Sequence, residues 1–445
     1  MARPPKKKGG KSQQEKTDND SGTSTAAVIR SSKRILVTLG TLFVCVTLWL
    51  ERDGIGLCAV GSSPPSQQQQ PIPSNHSNAN SSKQPLWFPP ACSEDEKQFI
   101  ATKFPIPQLK LTNCPENSWY DDYLYLTARQ RQEQSHADKL PQKPFVAVCL
   151  GCNKGDDAVG ILRKFSGNPQ VSATQFQRTM VGIVKSQGQS RKFLWRACPA
   201  KPRPHPMDDH HLWMDQNAVV HCVEAMPLTA QLLNQTRAQF PAWQENFVVT
   251  HAAMGATDGS MLFPGGDRAG IEFLNTQFCQ KPEFRASCVD VPMYSVDTYV
   301  QEKVLAANEP LRQAMKLASR QQQQEEPSLV IDFLSVDVEG FDWEVLGKGG
   351  ADWTLARTGY LEFEYHEAGM WSQSKLQDAI VALKAQKFVC YWAGRHALVR
   401  ITDCWQDYME IHTWSNVACA NVALLPDLAQ AMELVYQKTK YVEGL

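Results

Sequence analysis

The chain has 445 residues, 42% of them hydrophobic, and a formal net charge of −1. That length and apolar content suffice to bury one large domain or two small ones, and they exclude a disordered chain. The charge is uneven: nine Lys and Arg against three Asp and Glu give the first 34 residues a net +6, leaving about −7 on the rest. An acidic body excludes nucleic acid as the main partner, since phosphate binding needs a clustered basic face.

In chain order, the basic tail (residues 1–34) runs into ILVTLGTLFVCVTLWL at residues 35–50, which carries no charge. As a helix this run would span roughly 24 Å, short of the ~30 Å hydrocarbon core and suited to a thin early secretory membrane. A cleaved signal peptide would need a shorter leader, and a buried helix is the other alternative. The expectation is therefore one uncleaved transmembrane signal-anchor. The basic side would stay cytosolic, giving a type II membrane protein of the secretory pathway, in the Golgi, with its body in the lumen. Residues 51–86 are rich in Ser, Gln, Pro and Asn and read as a low-complexity stem. Sequons start at Asn75 and Asn80 in that stem, and a third starts at Asn234 on a predicted helix. Eleven of the thirteen cysteines lie between Cys92 and Cys419, an odd number that leaves at least one thiol free or paired between chains.

Residues 87–144 form an aromatic lead-in. Beyond them, short apolar runs alternate with longer helical stretches, the pattern of a doubly wound sheet. Seven strands are predicted, at residues 145–151, 218–225, 247–255, 329–340, 359–367, 388–394 and 417–425. Helices are predicted at 156–165, 227–239, 296–320, 342–346 and 374–386. No crossover helix is evident between the last two strands, so the final pair should be antiparallel. Residues 166–217 and 256–292 are too long for plain loops and read as insertions over the active face.

Ligands of an open parallel sheet sit beyond the carboxyl ends of its strands. After the first strand comes Gly151-Cys152-Asn153-Lys154-Gly155, whose glycines permit close backbone approach. The second strand ends in Glu224, placed to accept both hydroxyls of a ribose. VCLGCNKGD, VHCVEAMPLTAQLL, FVVTHAAMGATDGSMLF, VPMYSVDTYV and IDFLSVDVEGFDWEVL resemble, in that order, the successive motifs of the FkbM family of methyltransferases. The resemblance implies an α/β, doubly wound, seven-stranded Rossmann-like methyltransferase fold over residues 145–430. That fold would have an antiparallel last strand, sit behind the transmembrane helix and end in a C-terminal tail at 431–445. It also implies S-adenosylmethionine as cofactor and methyl transfer to a hydroxyl of a glycan or small-molecule acceptor. Carried onto this chain, Gly151, Asn153 and Gly155 would lie under the methionine part of the cofactor, and Glu224 would hold the ribose. Ala252, Ala253 and Asp258 would lie near the adenine. Asp337 and Glu339 would serve the acceptor, with His366 as a second candidate base. Cys149 stands where the family carries an acid, so Asp156 or Asp157 is expected to meet the cofactor's amino group.

Other readings attach to the same residues. Asp337-Val338-Glu339 also fits the acid-x-acid metal clasp of a Golgi glycosyltransferase, and the missing acid fits a non-catalytic descendant that binds a glycan or partner. Cys149 and Cys152 form a C-x-x-C that two small residues at a tight turn explain without redox or zinc chemistry. HPMDDHH at 205–211 reads as a solvated loop, so no metal ligand is assigned. Trp343, Trp353, Trp371, Trp392, Trp405 and Trp414 are expected to be mostly core.

Overall fold

A computed structural model describes residues 86–104, 144–166, 168–188, 218–265, 279–313, 315, 328–394 and 397–441. The chain divides into two units, Met1–Ala79 and Asn80–Leu445, and every described residue belongs to the second. The apolar run at 35–50, the stem and the HPMDDHH segment lie outside the described residues.

All seven predicted strands are present, named here in chain order. β1 is Phe145–Leu150, β2 Ala218–Glu224 and β3 Phe247–His251; β4 (Ala253–Met254), β5 (Gly259–Pro264) and β6 (Cys288–Tyr294) follow. Then come β7 (Ile331–Val336), β8 (Thr358–Tyr365), β9 (Phe388–Ala393), β10 (Leu398–Arg400) and β11 (Ser415–Asn421). The main sheet has the order β10-β9-β11-β8-β7-β1-β2-β3. Pairing is parallel from β3 through β2, β1 and β7 to β8, and antiparallel where β11 meets β8 and β9 and where β10 meets β9. Strands covered on both sides must be apolar throughout: FVAVCL of β1 and FVCYWA of β9 are buried at every position.

The sheet itself overturns the expectation of seven strands, whereas the anchor expected at 35–50 lies outside the described residues. The sheet has eight strands of mixed direction, accompanied by a three-stranded sheet of order β4-β6-β5, and among the described residues no helix is long and apolar enough to cross a membrane. β10 escaped the sequence reading because three residues hold no readable period. β5 and β6 escaped it because 23 residues separate Pro264 from Cys288, too far apart for a hairpin signal.

The helices are α1 (Glu94–Lys103), α2 (Asp156–Ser166), α3 (Ala173–Ser186), α4 (Pro227–Arg237), α5 (Val296–Tyr299, continued by a wider turn over Val300–Leu305), α6 (Asp342–Gly347), α7 (Asp352–Leu355), α8 (Leu376–Ala385) and α9 (Pro426–Thr439). α3 lies in a segment expected to be an insertion, and α9 runs through the tail boundary expected at residue 430. The Asn234 sequon sits on α4, where Thr236 is buried and donates to the Leu232 carbonyl at 2.8 Å. Asn234 itself is exposed, its side-chain amide donating to the Ala230 carbonyl at 3.2 Å.

Four disulfides join Cys92 to Cys404, Cys152 to Cys222, Cys279 to Cys288 and Cys390 to Cys419, and the free cysteine among the described residues is the buried Cys149. Cys152 pairs across to β2 and not with Cys149, so the C-x-x-C is not a dithiol pair. Of the six tryptophans singled out above, Trp371 and Trp392 are fully buried and Trp414 is exposed.

Arg400 fastens the lead-in to the carboxyl-terminal half. Buried to 1% exposure, it bonds Glu433 Oε1 through Nη1 at 3.0 Å and donates to the Pro90 carbonyl at 2.8 Å. Replacing it by Leu strands a buried carboxylate, and we expect a loss of about 3–5 kcal/mol in urea unfolding. The double variant with Glu433→Leu should lose less than the sum of the singles, and strict additivity would contradict the pairing.

Candidate active site

Strand order reverses between β1 and β7, so a crevice opens at the carboxyl edge of the parallel strands there. Its first wall is the turn after β1. Gly151, Asn153 and Gly155 all take left-handed backbone, with φ of 78°, 47° and 73°, where glycine is free and Asn is the best tolerated side chain. The amides of Gly151 and Cys152 both donate to the Val223 carbonyl, at 3.0 and 2.9 Å, and the Asp337 amide donates to Leu150 at 2.9 Å. The turn is thereby drawn against β2 on one side and β7 on the other. A Cβ on Gly151 would lie 1.6 Å from the Asp337 carbonyl oxygen.

Glu224 closes the same wall. It is 6% exposed; Oε2 accepts from the Asn153 amide and Oε1 from the Met226 amide, both at 2.7 Å. The Cys152–Cys222 disulfide joins the same two strands. Gly151, Asn153, Gly155 and Glu224 are thus brought together as one unit.

Ala252 and Ala253 are buried beside it, the Ala252 amide donating to the Glu224 carbonyl at 3.1 Å and Ala253 pairing with Met293 in the small sheet. Asp258 is used differently. Its carboxylate accepts from the Ser295 amide at 2.7 Å and the Thr298 hydroxyl at 2.8 Å, and the Ser295 bond holds its pKa below the ordinary value. This side chain fastens the small sheet to the start of α5, whose N-cap is Ser295.

The second wall comes from β7 and β8. Past β7, Asp337 is exposed, Glu339 is left-handed at φ 55° and Gly340 at 87°. Asp342, fully buried, shapes this turn by accepting from the Val338 and Gly340 amides, each at 3.1 Å. Gly340 also accepts from the Met370 amide at 2.8 Å, which brings the loop after β8 against the turn. At the end of β8, Glu364 is 6% exposed and its Oε2 lies 3.5 Å from His366 Nε2. Ligand atoms of Glu339, Glu364 and His366 all fall within 4.8 Å of one another.

Glu364 is the residue that sequence reasoning missed. The available signal was an acid two positions before His366 on one strand, which puts both on the same face of the sheet. His366 itself differs from the base expected of it. Its Nδ1 accepts the Ala368 amide at 3.0 Å, so in the neutral ring Nε2 carries the proton and acts as a donor. Burial lowers its pKa further, which keeps the ring neutral.

Burial sets the electrostatics of both walls. It pushes the Glu224 carboxyl up to about 7, with the Asp337 charge adding to the effect, and the Asp342 carboxyl up to about 8. Both are raised above their unfolded values, so their contribution to stability is complete at acid pH and is lost as pH rises through 7 and 8. Glu224 alone accounts for on the order of 3 kcal/mol between pH 4.5 and 8.5. The melting temperature of the ligand-free protein should therefore fall from pH 5 to pH 8.5, and Glu224→Gln should flatten that slope. A slope unchanged by the substitution would contradict the assignment.

Fold and site together define an α/β protein with a crevice at the reversal point of a parallel sheet, one wall built of backbone amides and the other rich in carboxylates. No family model, curated protein or solved structure matches the chain.

Proposed function

We propose that the domain is an S-adenosylmethionine-dependent methyltransferase acting on a hydroxyl of a glycan or small-molecule acceptor. The observation that carries this reading is Glu224, held by two amides at the reversal point beneath a left-handed glycine turn. Each Glu224 oxygen spends one lone pair on an amide and keeps another for a ribose hydroxyl. The Gly151 turn, without a Cβ, lets a ligand lie against backbone, and the exposed Asp337 offers negative charge to a cationic sulfonium. The motif resemblance to FkbM methyltransferases supports the same placement. The bound cofactor would supply the methyl group.

The chain's own residues would position the acceptor and take its proton. Asp337 and Glu339 are the carboxylates for that role, joined by Glu364, and His366 Nε2–H would donate to an acceptor oxygen or orient a carboxylate. Cys149 does not substitute for the family's acid, because burial raises its thiol pKa and keeps it neutral. Asp156 and Asp157, in the first turn of α2, remain the proposed partners of the amino group.

A metal-dependent glycosyltransferase is the second reading, favoured by the grouping of Glu339, Glu364 and His366. Calorimetric titration of the full chain separates the two. S-adenosylmethionine and its demethylated product should bind, and Glu224→Ala should weaken both at least tenfold while the protein stays folded. Binding of neither compound would end the methyltransferase reading, and metal-dependent binding of a nucleotide sugar in their place would establish the second. The four disulfides support folding in an oxidising compartment.

A further inference from the structure

We infer that Glu339, Glu364 and His366 form a binding site for one divalent transition-metal ion at the second wall of the crevice. The three come from two separate elements: Glu339 from the turn after β7, and Glu364 and His366, two positions apart, from the end of β8. Their ligand atoms lie within 4.8 Å of one another, the spread that one ion bridges.

Each ligand is fixed independently. The Glu339 backbone is held left-handed between Val338 and Gly340, whose amides Asp342 binds. Glu364 sits in the β8 ladder with its carbonyl accepting from the Trp371 indole at 3.1 Å. The His366 ring is turned inward by Ala368. The two carboxylates are thus preorganised and cost little further ordering when an ion arrives.

One observation beyond proximity points to a cation. His366 Nε2 is buried and makes no hydrogen bond, although it faces Glu364 Oε2 at 3.5 Å. A buried imidazole nitrogen left without a hydrogen bond is costly, and once its proton has moved Nε2 offers a lone pair to a metal.

On coordination the ring proton passes from Nε2 to Nδ1. That shift gives up the Ala368 N–H to Nδ1 bond, whose donor belongs to an exposed residue. Two carboxylates and one imidazole form a mixed oxygen and nitrogen set that suits Mn2+, Fe2+ or Zn2+ better than Ca2+. Three protein ligands leave positions open for acceptor oxygens. In that role, which rests on the methyltransferase reading, the ion would hold two adjacent acceptor hydroxyls and make one of them more acidic.

Mn2+ is the probe, added to the metal-stripped full chain and followed by electron paramagnetic resonance, with S-adenosylmethionine titrated in parallel. One saturable Mn2+ site is expected, weakened at least tenfold by Glu364→Gln and by His366→Ala and unchanged by the remote Glu309→Gln. Should Glu364→Gln fail to fold, His366→Ala, whose ring lies at the edge of β8, decides. No saturable Mn2+ binding, or binding indifferent to both substitutions, overturns the site. Mn2+ binding without S-adenosylmethionine binding supports the site and ends the methyltransferase reading. S-adenosylmethionine binding without Mn2+ does the reverse.

Discussion

Gly151→Ala will lose at least about 3 kcal/mol of stability in urea unfolding, while Gly160→Ala will lose none. The added methyl would stand 1.6 Å from the Asp337 carbonyl oxygen, and φ at this position is +78°. Neither problem relaxes cheaply. The oxygen belongs to backbone at the end of β7, and the Gly151 and Asp337 amides are both engaged, with Val223 and Leu150. Relief would require β1 and β7 to part where the crevice opens, so ligand binding should fall with stability. Gly160 is the control within the same stretch of chain. It lies in the middle of α2, where a Cβ meets nothing within 4 Å, and Ala there should gain up to about 1 kcal/mol by restricting the unfolded chain. If the two variants unfold within 1 kcal/mol of each other, the close approach of β1 to β7 is wrong.

Asp342→Ala will open the turn that presents Glu339. Its carboxylate accepts two buried amides, those of Val338 and Gly340, and each buried donor left without a partner costs about 1–3 kcal/mol. The native carboxyl is itself destabilised by burial, as its pKa of about 8 shows, so part of that loss is returned. A net loss of about 2–4 kcal/mol follows from these two terms. Asp342→Asn is a sharper variant. An amide offers one acceptor oxygen and turns its NH2 toward the other backbone N–H, so it should be nearly as harmful despite its matching shape. Amide hydrogen exchange at Val338 and Gly340 should speed up by at least tenfold in both variants, with the β2 amides unchanged. Protection preserved at both positions would show that Asp342 does not shape the turn.

The strands were legible because buried parallel strands must be continuously apolar. VAVCL, VVHC and VCYW announce themselves to a short window of sequence, and the turn residues at their ends punctuate them. The turn at Gly151, Asn153 and Gly155 and the placement of Glu224 at a strand end were legible for a related reason: both depend on position just after a strand, and position along the chain is what a sequence records. The bonds of Asp258 to Ser295 and Thr298 were not legible, because an acid after a strand reads the same whatever it meets in the fold. The tautomer of His366 was not legible, since the Ala368 amide that fixes it comes from the fold of the loop beyond it.

The sequence by itself determined the alternation of strands and helices, the left-handed turn after β1 and the acids at the ends of β2 and β7. All of these follow from local steric and hydrophobic pattern. Tertiary structure alone decided the eighth strand, the small β4-β6-β5 sheet and the meeting of Glu339 with Glu364 and His366. The physical reason is distance along the chain. Twenty-five residues separate Glu339 from Glu364 in number, and the parallel register that sets Val336 beside Phe363 brings them together. Such pairings are fixed by the packing of whole strands, which no window around either residue contains.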